Sequence, residues 1–337
     1  MSSGEVVTLA HGAGGKASRR LVEGLFLDEL RNPLLEPLGD AAIVGVNGTR
    51  FAFTTDSYVV RPLRFPGGDI GELAVNGTVN DLAVSGAVPL ALTAGFVLEE
   101  GFPVDVLREL VGSMARAAHD AGVVVAAGDT KVVERGAADG LYVTTAGVGL
   151  LDLRAVLGYE HVRAGDKVLV SGPIADHGIA VMIARGNLEL ELDLESDTAP
   201  LHGLTAALCA LGPELRWMRD PTRGGVATTL NELAAGAGLS VVLAEEAIPV
   251  RDGVRAACEL LGIDPLFVAN EGKLVAVVSS GAADAALALL RAQALGAGAA
   301  IVGEVRDDGA PLVLVDTPFG GSRIVDMLVG DPLPRIC

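Results

Sequence analysis

Strand-like runs and helical periods follow one another irregularly along this chain, and that irregularity constrains the fold more than any other feature. Strand-like runs fill the first half ("RFAFTTD", "ALTAGFVL", "GVVVAAGD", "LYVTTAGVGL") and the second ("DKVLVSG", "LSVVLAEEAIPV", "KLVAVVSS", "PLVLVDT"). Helical patterns fall between them, at 17–30, 70–85, 104–121, 178–185, 201–211, 225–237, 254–261 and 283–295. A doubly wound sheet needs steady strand–helix alternation, which neither half shows, so the pattern predicts two α+β domains. The length of 337 residues suits two separate cores. A polar stretch between Leu153 and Lys167 marks the boundary. The division read from it is a glycine-rich segment and helix over 1–38, a domain over 39–155, a second over 156–330, and a flexible tail over 331–337. Two prolines extend that tail, which at about 3.1 Å per residue reaches on the order of 20 Å.

Charge excludes whole classes of partner. A formal net charge of −18 leaves no basic patch to bind nucleic acid through its phosphates, and it disfavours an anionic membrane surface. The uncharged run Leu82 to Leu98 is broken by Ser85, Gly86, Pro89 and Gly95, so it reads as a helix end, a turn and a strand rather than a membrane span. With no basic start or apolar h-region at the N-terminus, a cytoplasmic chain is expected. Cys209 and Cys258 lie on apolar helical faces and read as inert core residues. Cys337, last in "PRIC", stands apart, because an exposed terminal thiol is a liability unless it carries something.

Four aspartates share one setting, a strand or helix end beside small residues: Asp40 in "LGDAAIV", Asp56 in "FTTDSYV", Asp81 in "NGTVNDLAVSGA" and Asp129 in "VAAGDTKVV". One such Asp is ordinarily a turn or cap residue. Four in one half suggest carboxylates that converge to hold Mg²⁺ beside a nucleotide. The chain has four lysines against 21 arginines, and three of the four, Lys16, Lys131 and Lys273, lie beside glycines, where a compact ammonium suits a phosphate or a reacting group. "HGAGGKAS" fails as a Walker loop, since Ala10 and Ala17 stand where Gly and Ser/Thr are required. "DPTRGGVATTLNELA" offers a better anion site, with Arg223 and Gly224 opening a helix. His177, in "ADHGIA", reads first as a cap or core residue.

Together, "HGAGGK", "GDAAIV", "TTDSYVV", "FPGGDIGELAVNGTVNDLAVSGA", "GDTKVVERG", "DPTRGGVATTLNE", "NEGK" and the terminal "PRIC" resemble the HypE family of hydrogenase maturation proteins, carbamoyl dehydratases of the PurM-like ATP-binding superfamily. The middle motifs specify the superfamily, and the "PRIC" ending the family. The resemblance implies a two-domain PurM-like α+β fold, a homodimer paired through a mixed N-terminal sheet, and a C-terminal α/β sandwich. It also implies a reaction in which a carbamoyltransferase, HypF, loads a carbamoyl group onto the thiol of Cys337. ATP then phosphorylates the carbamoyl oxygen, loss of phosphate leaves a thiocyanate, and the cyanide passes to the iron of [NiFe]-hydrogenase on a HypC–HypD scaffold. By motif, Asp40, Asp56, Asp81 and Asp129 become Mg·ATP residues, Glu271 the general base, and Lys131 its helper. Thr130, Asn231, Lys16, Arg223 and Gly224 become nucleotide contacts, and Asn76 and Asn80, four apart beside Asp81, could face the nucleotide too. The C-terminal carboxylate disfavours the Cys337 thiolate, and Arg335, two residues back, is expected to offset part of that.

Two other readings stay open on residues alone. One is a selenophosphate synthetase or a small-molecule kinase or ligase of the same superfamily. The selenium enzyme would carry a reactive Cys by its N-terminal glycine loop, where this chain has His11. The other is a non-catalytic carrier that offers Cys337 to a partner or a metal.

Overall fold

The computed structural model describes residues 6–186, 193–330, 333 and 335–337. An N-terminal arm of short helical pieces, including α1 (Lys16–Leu21) and α2 (Leu27–Leu30), precedes a five-stranded sheet. That sheet holds β1 (Ala42–Val46), β2 (Thr49–Tyr58), β5 (Ala87–Glu99), β6 (Val124–Val133) and β7 (Leu141–Leu151) in the order β1-β2-β7-β5-β6. It is mixed: only β5 and β6 run parallel, because α4 (Val104–Asp120) makes the crossover between them. The hairpin β3 (Arg64–Phe65) and β4 (Gly68–Asp69) leads into α3 (Ile70–Val84).

Helix α3 is apolar nearly all round, so it packs as a central rod between the sheet and the second domain. Asp69 caps it, its Oδ1 accepting from Gly71 N at 2.8 Å and Glu72 N at 3.1 Å. Among the described residues no helix covers the opposite face of the sheet, which presents Phe53, Val88, Leu90 and Leu150 to solvent.

The second domain has a seven-stranded sheet of β8 (Lys167–Val170), β9 (Leu215–Arg219), β10 (Ser240–Ala244), β11 (Val275–Val278), β12 (Ala300–Arg306), β13 (Val313–Asp316) and β14 (Ser322–Ile324). Its order is β14-β13-β10-β12-β8-β11-β9, with β10 and β13 the parallel pair. Around it lie α5 (Asp176–Ala184), α6 (His202–Cys209), α7 (Gly225–Ala237), α8 (Asp252–Leu261) and α9 (Ala283–Arg291). Both core cysteines are buried, and desolvation pushes each thiol up to about 11.

One apolar cluster crosses the domain boundary. Leu73 and Val79 of α3 belong to it together with Ile179 of α5, Val254 of α8 and, from the tail, Leu333 and Ile336. The stretch read as a flexible tail is therefore, at its described residues, packed into the junction; Asp331, Pro332 and Pro334 lie outside the described residues. No helix among the described residues is long and apolar enough to cross a membrane.

Candidate active site at the domain junction

Acidic side chains from four separate segments meet where the domains join. Asp40 precedes β1, Asp56 lies on β2, Asp81 on α3, and Asp220 follows β9. Asp40, Asp81 and Asp220 each offer an oxygen, and these three lie within 4.8 Å of one another. Burial pushes the Asp81 and Asp220 carboxyls well above the usual carboxylate range, and their acidic neighbours push them further. The Asp56 carboxyl is also raised by burial, with Arg223 and the Tyr58 hydroxyl opposing. Thr54 Oγ lies 2.7 Å from the Asp40 carbonyl oxygen and 2.8 Å from Asp81 Oδ2, and its contact with Asp81 opposes the rise that burial causes there.

Such a cluster is held together only by protons or by cations. One cation is built in: Arg219 donates from Nε to Asp40 Oδ1 at 2.7 Å and pairs with Glu232. The oxygens of Asp40, Asp81 and Asp220 form a hard, convergent donor set that fits a divalent ion such as magnesium. A cleft of about 940 Å³ opens beside them, lined by Asp40, Thr54, Arg219 and Arg223 and by residues of the N-terminal arm. Its size suits a nucleotide.

Glu271 stands on the other side of the acids. Only 2% of it is exposed, its Oε1 has no hydrogen-bond partner, and burial pushes its carboxyl well up, helped by Asp220, Asp197 and Asp56 and opposed by Arg223. Its backbone is fixed at both ends: Asp197 Oδ1 accepts from its N–H at 3.1 Å, and its carbonyl accepts from Asn80 Nδ2 at 3.0 Å. Lys273 Nζ lies 3.2 Å from Asp197 Oδ2.

The tail enters between these groups. The N–H of Val59 donates to an oxygen of the Cys337 terminal carboxylate at 3.1 Å and that of Arg61 to the Arg335 carbonyl at 3.3 Å, so the tail runs antiparallel to the chain leaving β2. A pocket of about 80 Å³ remains there, lined by Cys337, Arg223, Ser57 and Gly12 among others. Negative charge at Cys337 is the largest influence on the Arg223 guanidinium across this pocket, and it outweighs the effect of burial. The cation beneath Cys337 is thus Arg223, while the expected one, Arg335, turns its guanidinium to Asp139 and to the Val59 carbonyl. Arg223 in turn carries the N-terminal arm: it donates to the Gly12 carbonyl at 3.3 Å, and a Cβ on Gly14 (φ +78°) would lie 2.6 Å from the Arg223 carbonyl oxygen.

Other residues singled out in the sequence lie elsewhere. Asp129, Thr130 and Lys131 are on β6, an edge strand exposed along nine of its ten residues, where Lys131 Nζ binds Asp129 Oδ2 at 2.6 Å. Within one chain Asp129 therefore does not join the acid cluster, nor Lys131 the Glu271 side; β6 is simply the strand furthest from β1 in the sheet. Asn76 and Asn80 turn from the nucleotide cleft to the second domain. Asn76 donates to Thr198 Oγ, and Asn80 donates both its N–H groups to the carbonyls of Ala199 and Glu271 while its Oδ1 accepts from Leu201 N. Asn231 donates to the carbonyls of Ala227 and Val325 and so ties α7 to the chain after β14. Lys16 pairs with exposed Asp326. Gly224 takes φ +77° at the start of α7 and sets Arg223 at the helix entrance.

Sequence reasoning missed Asp220, Asp197, Arg219 and Tyr58. Asp220 had a signal, since it opens the "DPTRGG" stretch already singled out for its Arg and Gly; for the others only the fold brings the partners together.

Residues 38–151 match the N-terminal domain of AIR synthase related proteins, and residues 163–315 match their C-terminal domain. The chain is 52% identical over 331 residues to carbamoyl dehydratase HypE of Azotobacter vinelandii, covering 98% of this chain and 97% of that protein. In structure it resembles HypE in a HypE–HypF complex (TM-score 0.87, 48% identity, 91% of this chain and 99% of that one). It also resembles HypE in complex with ATP (TM-score 0.82, 44% identity, 98% of this chain and 100% of that one).

Proposed function

The chain belongs to the HypE family of carbamoyl dehydratases and is an ATP-dependent dehydratase of hydrogenase maturation, and from that premise we propose how its own residues do the work. The substrate is an S-carbamoyl group on Cys337, loaded by HypF, the partner with which a relative forms a complex. The observation that carries this reading is Arg223, which lines both the nucleotide cleft and the Cys337 pocket and so makes the two compartments share a wall.

An amide oxygen is a poor leaving group. Transfer of the γ-phosphoryl group of ATP to that oxygen makes it a good one, and C–O cleavage then releases phosphate and leaves the thiocyanate. Two N–H protons must leave the carbamoyl nitrogen on the way, so a base has to stand beside it. Glu271, buried and with Oε1 unpartnered, is that base. Burial raises the affinity of its carboxyl for a proton, the charge on Asp220 adds to that, and neutralising Asp220 would lower it again. Magnesium, held by Asp40, Asp81 and Asp220 with Asp56 behind them, would neutralise charge at the transferring phosphoryl group. Arg223 steadies negative charge between the two compartments.

The bare sheet face and edge strand β6 support a homodimer, which would carry Asp129, Thr130 and Lys131 toward the partner's nucleotide. The thiocyanate's cyanide then passes to the hydrogenase iron on the HypC–HypD scaffold.

Mass spectrometry of the C-terminal peptide tests this. After incubation with HypF, carbamoyl phosphate and ATP, Cys337 gains a carbamoyl group, and Mg·ATP then removes one water. A terminal peptide left unmodified while ATP is bound overturns the reading.

A further inference from the structure

Dehydration needs the Cys337 sulfur held at one place, yet it hangs from the last residue of a chain end. We propose that His177 is the positioning residue of the tail, gripping the Ile336 carbonyl so that Cys337 is set against Arg223. The inference rests on Cys337 being the group-bearing thiol, but its test reads only where the tail is.

His177 lies in the first turn of α5 and is fully buried. Its Nε2 is 2.9 Å from the Ile336 carbonyl oxygen and its Nδ1 is 2.8 Å from Ser196 Oγ. A carbonyl only accepts, so Nε2 carries the hydrogen. Ser196 Oγ already accepts from Thr198 N at 3.1 Å and has its own hydrogen to give to Nδ1. One neutral tautomer therefore satisfies every atom. Burial, the largest influence on the ring, favours that neutral form, and Arg185 adds to it, while Asp197 and the Ile336 contact oppose it. The Phe65 ring stands edge-on at 5.4 Å and fixes the imidazole plane.

Departure of the tail takes the acceptor from a buried N–H, and that disfavours the open state. The grip is on main chain one residue before the thiol, so it persists whatever group the sulfur carries. Ser196 also neighbours Asp197, which holds the backbone of Glu271, so one short segment registers both base and tail.

Alkylation of the full chain by iodoacetamide, followed on the C-terminal peptide, is the test, with Cys209 and Cys258 as buried references. His177→Phe is expected to speed alkylation of Cys337 about tenfold, and His177→Gln, which keeps an N–H donor, to return it to within about threefold of the parent. An unchanged rate in a cooperatively melting His177→Phe chain overturns the proposal. Should that variant not fold, ¹⁵N spectra of the histidines decide: ending the chain after residue 334 is expected to shift the Nε2 signal of His177, and an unmoved signal overturns the proposal. Alkylation that responds as stated in a chain that is never carbamoylated would sink the proposed chemistry and leave this assignment standing.

Discussion

Asp81 and Asp129 sit in opposite surroundings. Asp81 lies among Asp40, Asp56 and Asp220, and desolvation raises its carboxyl well above the usual range. Asp129 lies on the outer strand β6, and the Lys131 ammonium and the Thr130 N–H hold its carboxyl below that range. The first region stores unfavourable charge that a cation can relieve; the second is already content in water and has a whole strand of unmet surface around it. The difference separates two kinds of incompleteness: the junction holds more carboxylates than Arg219 and Arg223 offset, and among the described residues β6 has no strand on its outer side.

The largest effect is expected at the junction. Glu271→Gln should slow ATP-dependent loss of water from carbamoylated Cys337 by roughly 10²–10⁴-fold, read by mass spectrometry over time. A rate within about threefold of the parent would move the base to β6 and to Lys131. On the β6 side, Val132→Asp puts a charge at an exposed position of the edge strand. It should weaken self-association by at least about tenfold in sedimentation runs, and unchanged association would place the interface elsewhere.

Stability against pH sharpens the contrast. For Asp81, Asp220 and Glu271 the folded chain holds the proton more tightly than the unfolded one, so stability falls as pH rises from the ordinary carboxylate range through their raised values. Asp129 and Asp139 act in the other direction, adding stability above their unfolded values that is lost as pH drops below them. Asp220→Asn should accordingly raise the Tm at pH 8 without divalent cation by about 5 °C, and magnesium should raise the parent's Tm more than the variant's. A Tm that is lower in the variant would mean the cluster is not under charge stress. The smallest effect belongs to Asp129→Asn, where calorimetry should find a Tm within about 2 °C of the parent.

Much of the scaffold could be read from periodicity, because α3, α4, α7 and α9 have long apolar faces and begin within a residue of the expected positions. Strands β1, β9, β12 and β14 escaped, because they carry residues such as Gly45, Arg216, Gly303 and Arg323 that dilute the apolar signal. The run "LSVVLAEEAIPV" reads as one strand, yet β10 ends at Ala244, where the acidic pair Glu245 and Glu246 turns into a short helical piece. At the site, motif residues such as Asp81 and Glu271 could be picked out, but the direction of a side chain could not. Asn80 and Asp81 are adjacent in sequence and about 100° apart around a helix, so one faces the second domain and the other the acids. Pairings such as Arg219 with Asp40 or His177 with Ile336 join residues more than 150 positions apart, and no local pattern encodes them.

The two main-chain hydrogen bonds that seat the tail, from Val59 and Arg61, make its last residues a measuring rod. Alternate tail oxygens meet alternate donors, so the contact counts residues rather than reading side chains. One residue added or removed beside Ile336 would displace the sulfur by about 3.3 Å and turn it to the opposite side of the groove. What such an ending must conserve is therefore its length as much as its letters, and a chain with a lengthened terminus would keep its thiol and lose its aim.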